Sequence, residues 1–129
     1  MWTITPMGFF SIVQKSSDVA AGTLTVRSRV RSDLEALQAS VLPGLGTITE
    51  SKSTDYRFRA VAPHALFEAA MAKLTAQLDY SNFKSQVAKV QGSKRAHIHH
   101  DIRDVPSRMQ GDPVYEMKHK PVVHGELPR

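Results

Sequence analysis

Residues 22–31, Gly22-Thr23-Leu24-Thr25-Val26-Arg27-Ser28-Arg29-Val30-Arg31 (GTLTVRSRVR), decide how the chain is read. Leu24, Val26, Ser28 and Val30 alternate with Thr25, Arg27, Arg29 and Arg31. A period of two sends successive side chains to opposite faces of a strand. One face is expected to join a core, while the other presents Arg27, Arg29 and Arg31. Tyr56-Arg57-Phe58-Arg59 has the same form. The two strands are expected to pair into one basic sheet face bearing five arginines.

Upstream, Trp2 to Lys15 reads as strand, turn, strand, with Pro6 and Gly8 as punctuation and Phe9, Phe10, Ile12 and Val13 as strand formers. The small polar residues Ser16 to Gly22 read as a loop. Downstream, Ser32-Asp33-Leu34-Glu35 has the form of a capping box, and Leu34, Leu37 and Val41 fall at helical spacing before Pro43-Gly44. Thr47 to Ser51 and Tyr56 to Val61 are the next strands. A second helix starts at Pro63 and carries Leu66, Phe67, Ala70, Met71, Leu74 and Leu78, a stripe suited to covering a sheet. Asp79 or Ser81 is the expected cap of a third helical piece through Phe83, Val87 and Val90, ending near Gly92.

Strand, strand, helix, strand, strand, helix implies an α+β two-layer sandwich, an antiparallel sheet with helices on one face. The expected architecture is ferredoxin-like, or a permuted relative whose outer strand comes first. The core domain is expected over residues 1–93, with a helical extension over 94–105 that Pro106 should end. Residues 106–129 read as an extended, proline-containing tail, in which Val114, Tyr115, Met117, Val122 and Val123 are candidates for docking.

With 129 residues, 41% of them hydrophobic and 22% charged, the chain is long enough to bury a core without staples. The absence of cysteine excludes disulfides, thiolate nucleophiles and cysteine-based zinc sites, and suits a reducing cytoplasm. No apolar run approaches the roughly 18 residues of a membrane span, and no signal peptide is expected. A net charge of +5 favours anionic partners such as nucleic acid.

The stretches GFFSIVQK, TLTVRSRVRSDLEAL, TDYRFRA and LDYSNFKSQVAKVQG resemble those of a family of small bacterial proteins known as hypothetical proteins, often beginning Met-Trp. The resemblance covers roughly residues 1–100. It implies a bacterial, cytoplasmic setting, and it carries no activity, cofactor or catalytic residue to transfer. Arg103 and Pro106 depart from the family pattern, which places aromatic residues in that helix.

Two constellations are candidates for chemistry. Arg27, Arg29, Arg31, Arg57 and Arg59 would lie about 5 Å apart across neighbouring strands, where like charges repel unless an anion sits among them. Arginine forks match phosphate oxygens, and Phe9 or Phe10 is a candidate stacking platform. A solvated face with Glu50 or Asp55 pairing the arginines explains the same pattern. The second constellation is His97, His100, Asp101 and Asp104, on one face of a helix with His99 beside it, which are weak candidates for a divalent metal. No established catalytic motif is present, and no cofactor is expected. A non-enzymatic module binding nucleic acid or another anionic partner leads. A homodimer formed through the sheet and the C-terminal arm is second, and a metal-dependent hydrolase a distant third.

Overall fold

The alternation around Val26 does build the centre of a sheet. In the computed structural model, which describes residues 1–116, five antiparallel strands run in the order β1-β2-β3-β5-β4. These are β1 (Trp2–Thr5), β2 (Gly8–Val13), β3 (Thr23–Ser28), β4 (Thr49–Glu50) and β5 (Phe58–Pro63). Helix α1 (Ser16–Ala21) joins β2 to β3, α2 (Arg31–Ser40) follows β3, and α3 (His64–Ala76) follows β5. Helices α4 (Phe83–Gln91), α5 (Ser93–Ser107) and α6 (Pro113–Glu116) complete the described chain. Because β5 is antiparallel to both β3 and β4, the unit β3-α2-β4 is a split β-α-β with β5 between its two strands.

The inward side chains are Phe10 and Ile12 of β2, Leu24 and Val26 of β3, and Ala60 and Ala62 of β5. Against them pack Leu34 and Leu37 of α2 and Phe67 and Ala70 of α3, forming two layers around one core. Val26, Leu34 and Leu37 are fully buried, and each such side chain contributes roughly 1.5–3 kcal/mol. The small residues Ala60 and Ala62 on β5 leave room for α3 to approach the sheet.

Several local expectations are corrected. Residues 16–21 form a helix rather than a loop. The Asp18 carboxylate accepts from the Lys15 amide (2.8 Å) and from the Thr23 and Thr25 hydroxyls (2.6 and 2.8 Å). Gly22 then closes α1 with φ of 67°, a left-handed turn that disfavours other residues. Strand β3 ends at Ser28, whose hydroxyl donates to the Val30 carbonyl and accepts from the Val30 amide, turning the chain into α2. Arg29 therefore lies beyond the strand and Arg31 inside a helix. No Ser32–Glu35 capping box forms, because Val30 is the N-cap and no side chain caps the helix there. Strand β5 starts at Phe58, leaving Tyr56 and Arg57 in the preceding loop, and β4 is reduced to two residues. Asn82, not Asp79 or Ser81, caps α4 by accepting from the Ser85 amide at 2.9 Å. Pro106 sits inside the last turn of α5, where its missing N–H removes only one terminal bond, and the helix runs to Ser107.

Helices α4 and α5 form a hairpin that attaches beside the β1–β2 turn. The Gln91 side-chain Nε2 donates to the Pro6 carbonyl, and Arg95 forms an ion pair with Asp33 in the first turn of α2. Asp33, 2% exposed, also accepts from the Phe9 amide at 3.0 Å. Gly8 makes this approach possible, since a Cβ there would stand 2.7 Å from Asp33 Cβ. Within the expected tail, Val114 and Tyr115 are exposed, and Met117, Val122 and Val123 lie outside the described residues.

Candidate anion-binding face

The register places one row of side chains across the outer face of the sheet: Trp2 opposite Ser11, Ser11 opposite Arg27, Arg27 opposite Arg59, and Arg59 opposite Thr49. The β1–β2 turn at Pro6-Met7 sets the first of these pairs, with Thr5 Oγ1 accepting from the Met7 and Gly8 amides. Phe9 shares that face and meets Trp2 edge-on at 5.2 Å, while its neighbour Phe10, 1% exposed, points into the core. Phe10 is therefore removed from the candidate site, because adjacent strand residues face opposite ways.

The five arginines divide into two groups. Arg57 donates from Nε and Nη2 to Glu50 (2.8 and 2.7 Å), and this hydrogen bond holds the Glu50 carboxyl below its ordinary value. Arg31 pairs with Glu35 at 3.1 Å, one helical turn away. These two charges are neutralised locally. Arg27, Arg29 and Arg59 instead gather around Tyr56, carried over the outer face by the loop of residues 51–57. The Arg27 and Arg29 guanidinium carbons lie 4.8 and 4.6 Å from the centre of its ring. Arg27 donates to Ser11 Oγ (2.7 Å), Arg29 to the Asp55 carbonyl (2.8 Å), and Arg59 to Thr54 Oγ1 (2.8 Å) and the Tyr56 carbonyl (3.3 Å).

Every one of those partners is neutral. Among the described residues, no carboxylate comes within ion-pair distance of Arg27, Arg29 or Arg59. The Nε atoms of Arg27 and Arg59 are also buried without a partner there. The cluster therefore holds its loop in place while keeping three positive charges uncancelled on one side of the sheet. Sequence reasoning missed Tyr56, Trp2, Ser11 and Thr54 as members. Trp2 was within reach, since a two-residue turn at Pro6-Met7 pairs it with Ser11.

The histidine cluster does not assemble. His97 and Asp101 are exposed, His100 meets Asp104 at 3.8 Å, and among the described residues no three His, Asp or Glu side chains converge to hold a metal ion. His99, not one of the expected ligands, is the buried member, stacked on Phe83 at 5.5 Å. Its Nε2 accepts from Arg95 Nε at 3.3 Å. Burial, with the adjacent Arg95 charge, pushes its pKa down, and Asp33 opposes this.

No family model, curated protein or solved structure matches this chain. Among the described residues, no helix is long and apolar enough to cross a membrane.

Proposed function

We propose that this protein is a small non-enzymatic binding module of the cytoplasm that takes an anionic partner on the outer face of its sheet. Single-stranded nucleic acid is the partner whose chemistry fits that face best. The observation that carries the reading is the outer face itself. There the uncancelled Arg27 and Arg59 of the row, and Arg29 just beyond β3, share one side of the sheet with an exposed Trp2 packed on a half-buried Phe9. Neighbouring strands lie about 4.8 Å apart, so Trp2 on β1 and Arg27 on β3 are separated by about two strand spacings. A base stacked on Trp2 then leaves its neighbouring phosphate within reach of Arg27 or Arg29.

Fluorescence anisotropy with a labelled 12-nucleotide single strand tests this. Each phosphate contact contributes about −0.7 to the slope of log affinity against log salt, so three contacts give about −2. Arg27→Ala with Arg29→Ala should weaken binding and flatten the slope, whereas Arg57→Ala, whose charge Glu50 already answers, should change little. Affinity unchanged in the Arg27/Arg29 variant rejects the face as the site. Inorganic phosphate that competes at equal molarity with the strand shifts the reading to a small phosphate ligand. Dimerisation through the same face is the second reading, favoured by Val61, 44% exposed beside the arginines. A monomeric mass by light scattering at high concentration removes it.

A further inference from the structure

We infer a second binding site, for an aliphatic carboxylate, in the groove between the β1–β2 hairpin and α5. The groove has a volume of about 540 Å³, within the roughly 300–1,000 Å³ of small-molecule sites. Trp2, Phe9 and Val30 form one wall, and Ile98, Ile102 and Val105 form the other. The last three recur along one face of α5, and Trp2, Ile98 and Val105 are 65%, 49% and 58% exposed, so the groove is open. A continuous apolar lining of this size calls for an apolar occupant.

The polar groups along the groove decide the chemistry of that occupant. Asp33 and Arg95 are engaged with each other, and His99 Nε2 already accepts from Arg95. Among the described residues, the one buried polar atom of these three side chains without a partner is His99 Nδ1, so the apolar lining sets the body of the ligand, which is plain hydrocarbon. Arg29 is the exception. It lines the groove, is exposed, has no carboxylate partner among the described residues, and gives only one hydrogen bond, to the Asp55 carbonyl. A guanidinium presents five donors in a planar fork that matches a carboxylate. The head of the ligand is therefore a carboxylate at Arg29, and its chain lies along α5. The inference needs no nucleic acid, and shares Trp2, Phe9 and Arg29 with the face described above.

Trp2 is the chain's one tryptophan, so its emission reports on the groove directly. Hexanoate, octanoate and decanoate, kept below their micellar concentrations, should each give a saturable blue shift at one ligand per chain. Affinity should rise about fourfold per added methylene. Ile98→Gln, at a position exposed enough to leave the fold intact, should weaken decanoate at least about tenfold while leaving oligonucleotide affinity unchanged. Arg29→Ala should weaken decanoate but not decanol. Absence of a saturable shift, affinity independent of chain length, or equal binding by Ile98→Gln overturns the inference. So does binding to phosphatidylglycerol vesicles without binding of free decanoate, which would make the groove a membrane contact instead. Arg27→Ala separates the two readings, since it should affect the oligonucleotide alone.

Discussion

Replacing Arg95 by methionine should detach the α4–α5 hairpin, at a cost much larger than the loss of a surface charge. The Asp33 side chain is 2% exposed and that of Arg95 17%, so the carboxylate has almost no water to fall back on. With Arg95 gone, Asp33 keeps only the Phe9 amide as donor. Leaving a buried charge unpaired in this way costs about 3–5 kcal/mol. For a domain of this size each kcal/mol lowers the Tm by about 4 °C, so the expected fall is about 12–20 °C. Arg31–Glu35 is the internal control, because its side chains are 52% and 57% exposed and such helix-surface pairs contribute only about 0.3–0.5 kcal/mol. Urea unfolding followed by circular dichroism measures the loss, and hydrogen exchange of α5 amides shows whether the hairpin opens before the sheet does. Asn at position 33 retains an acceptor for Phe9 without the charge, so Asp33→Asn combined with Arg95→Met should be more stable than Arg95→Met alone. A loss below about 1 kcal/mol, or no rescue by Asn, refutes the reasoning.

Two more outcomes follow from the same neighbourhood and from α1. Gly8→Ala should destabilise by about 1–3 kcal/mol, since the new methyl would sit 2.7 Å from an Asp33 held from two sides; a midpoint within error of the parent in urea would show that the hairpin yields freely. Stability should also fall in acid, in two stages. His99 and Asp18 both have pKa values lowered on folding, from ordinary values of 6.5 and 3.8. The unfolded chain therefore takes up the proton first. The His99 contribution is complete above pH 6.5 and is lost as pH falls through its folded value. The Asp18 contribution, set by hydrogen bonds from Thr23 and the Lys15 amide, is complete above its unfolded value and is lost below it as pH falls through its folded value. Denaturation midpoints from pH 8 to 3 measure both stages; His99→Gln should remove the upper one, and stability that rises between pH 7 and pH 5 contradicts the assignment.

The α+β class and the antiparallel sheet with helices packed against it were legible because they rest on periodicity. The alternation of Leu24 and Val26 and the stripe from Phe67 to Leu74 both describe which face meets the core. What was not legible depends on partners distant in the chain. The pattern of residues 22–31 continues to Arg31, yet Ser28 turns the backbone, so Arg29 and Arg31 alternate without belonging to the strand. Asp33 resembles a residue of a capping box, but its carboxylate answers Arg95, 62 residues further on. Helix α1 has six residues and no apolar stripe, and its register depends on Asp18 reaching Thr23 and Thr25. For the site, the arginines were visible one by one. Their division into a neutralised pair and an uncancelled trio was not, because it depends on where the loop of residues 51–57 lays Tyr56.

The two-residue length of β4 bears on how copies of this chain behave when crowded. An open sheet ends in unpaired amide and carbonyl groups that another strand can extend, and long flat edges template aggregation. Here one edge is Thr49–Glu50 alone, flanked by the charged Glu50–Arg57 pair, and Thr49 Oγ1 donates back to the Arg59 carbonyl within its own sheet. The opposite edge, β1, has four residues and is followed at once by Pro6, which has no N–H to offer. Neither edge gives an incoming strand a long ladder, so the sheet limits edge-to-edge growth by brevity and charge rather than by a covering helix.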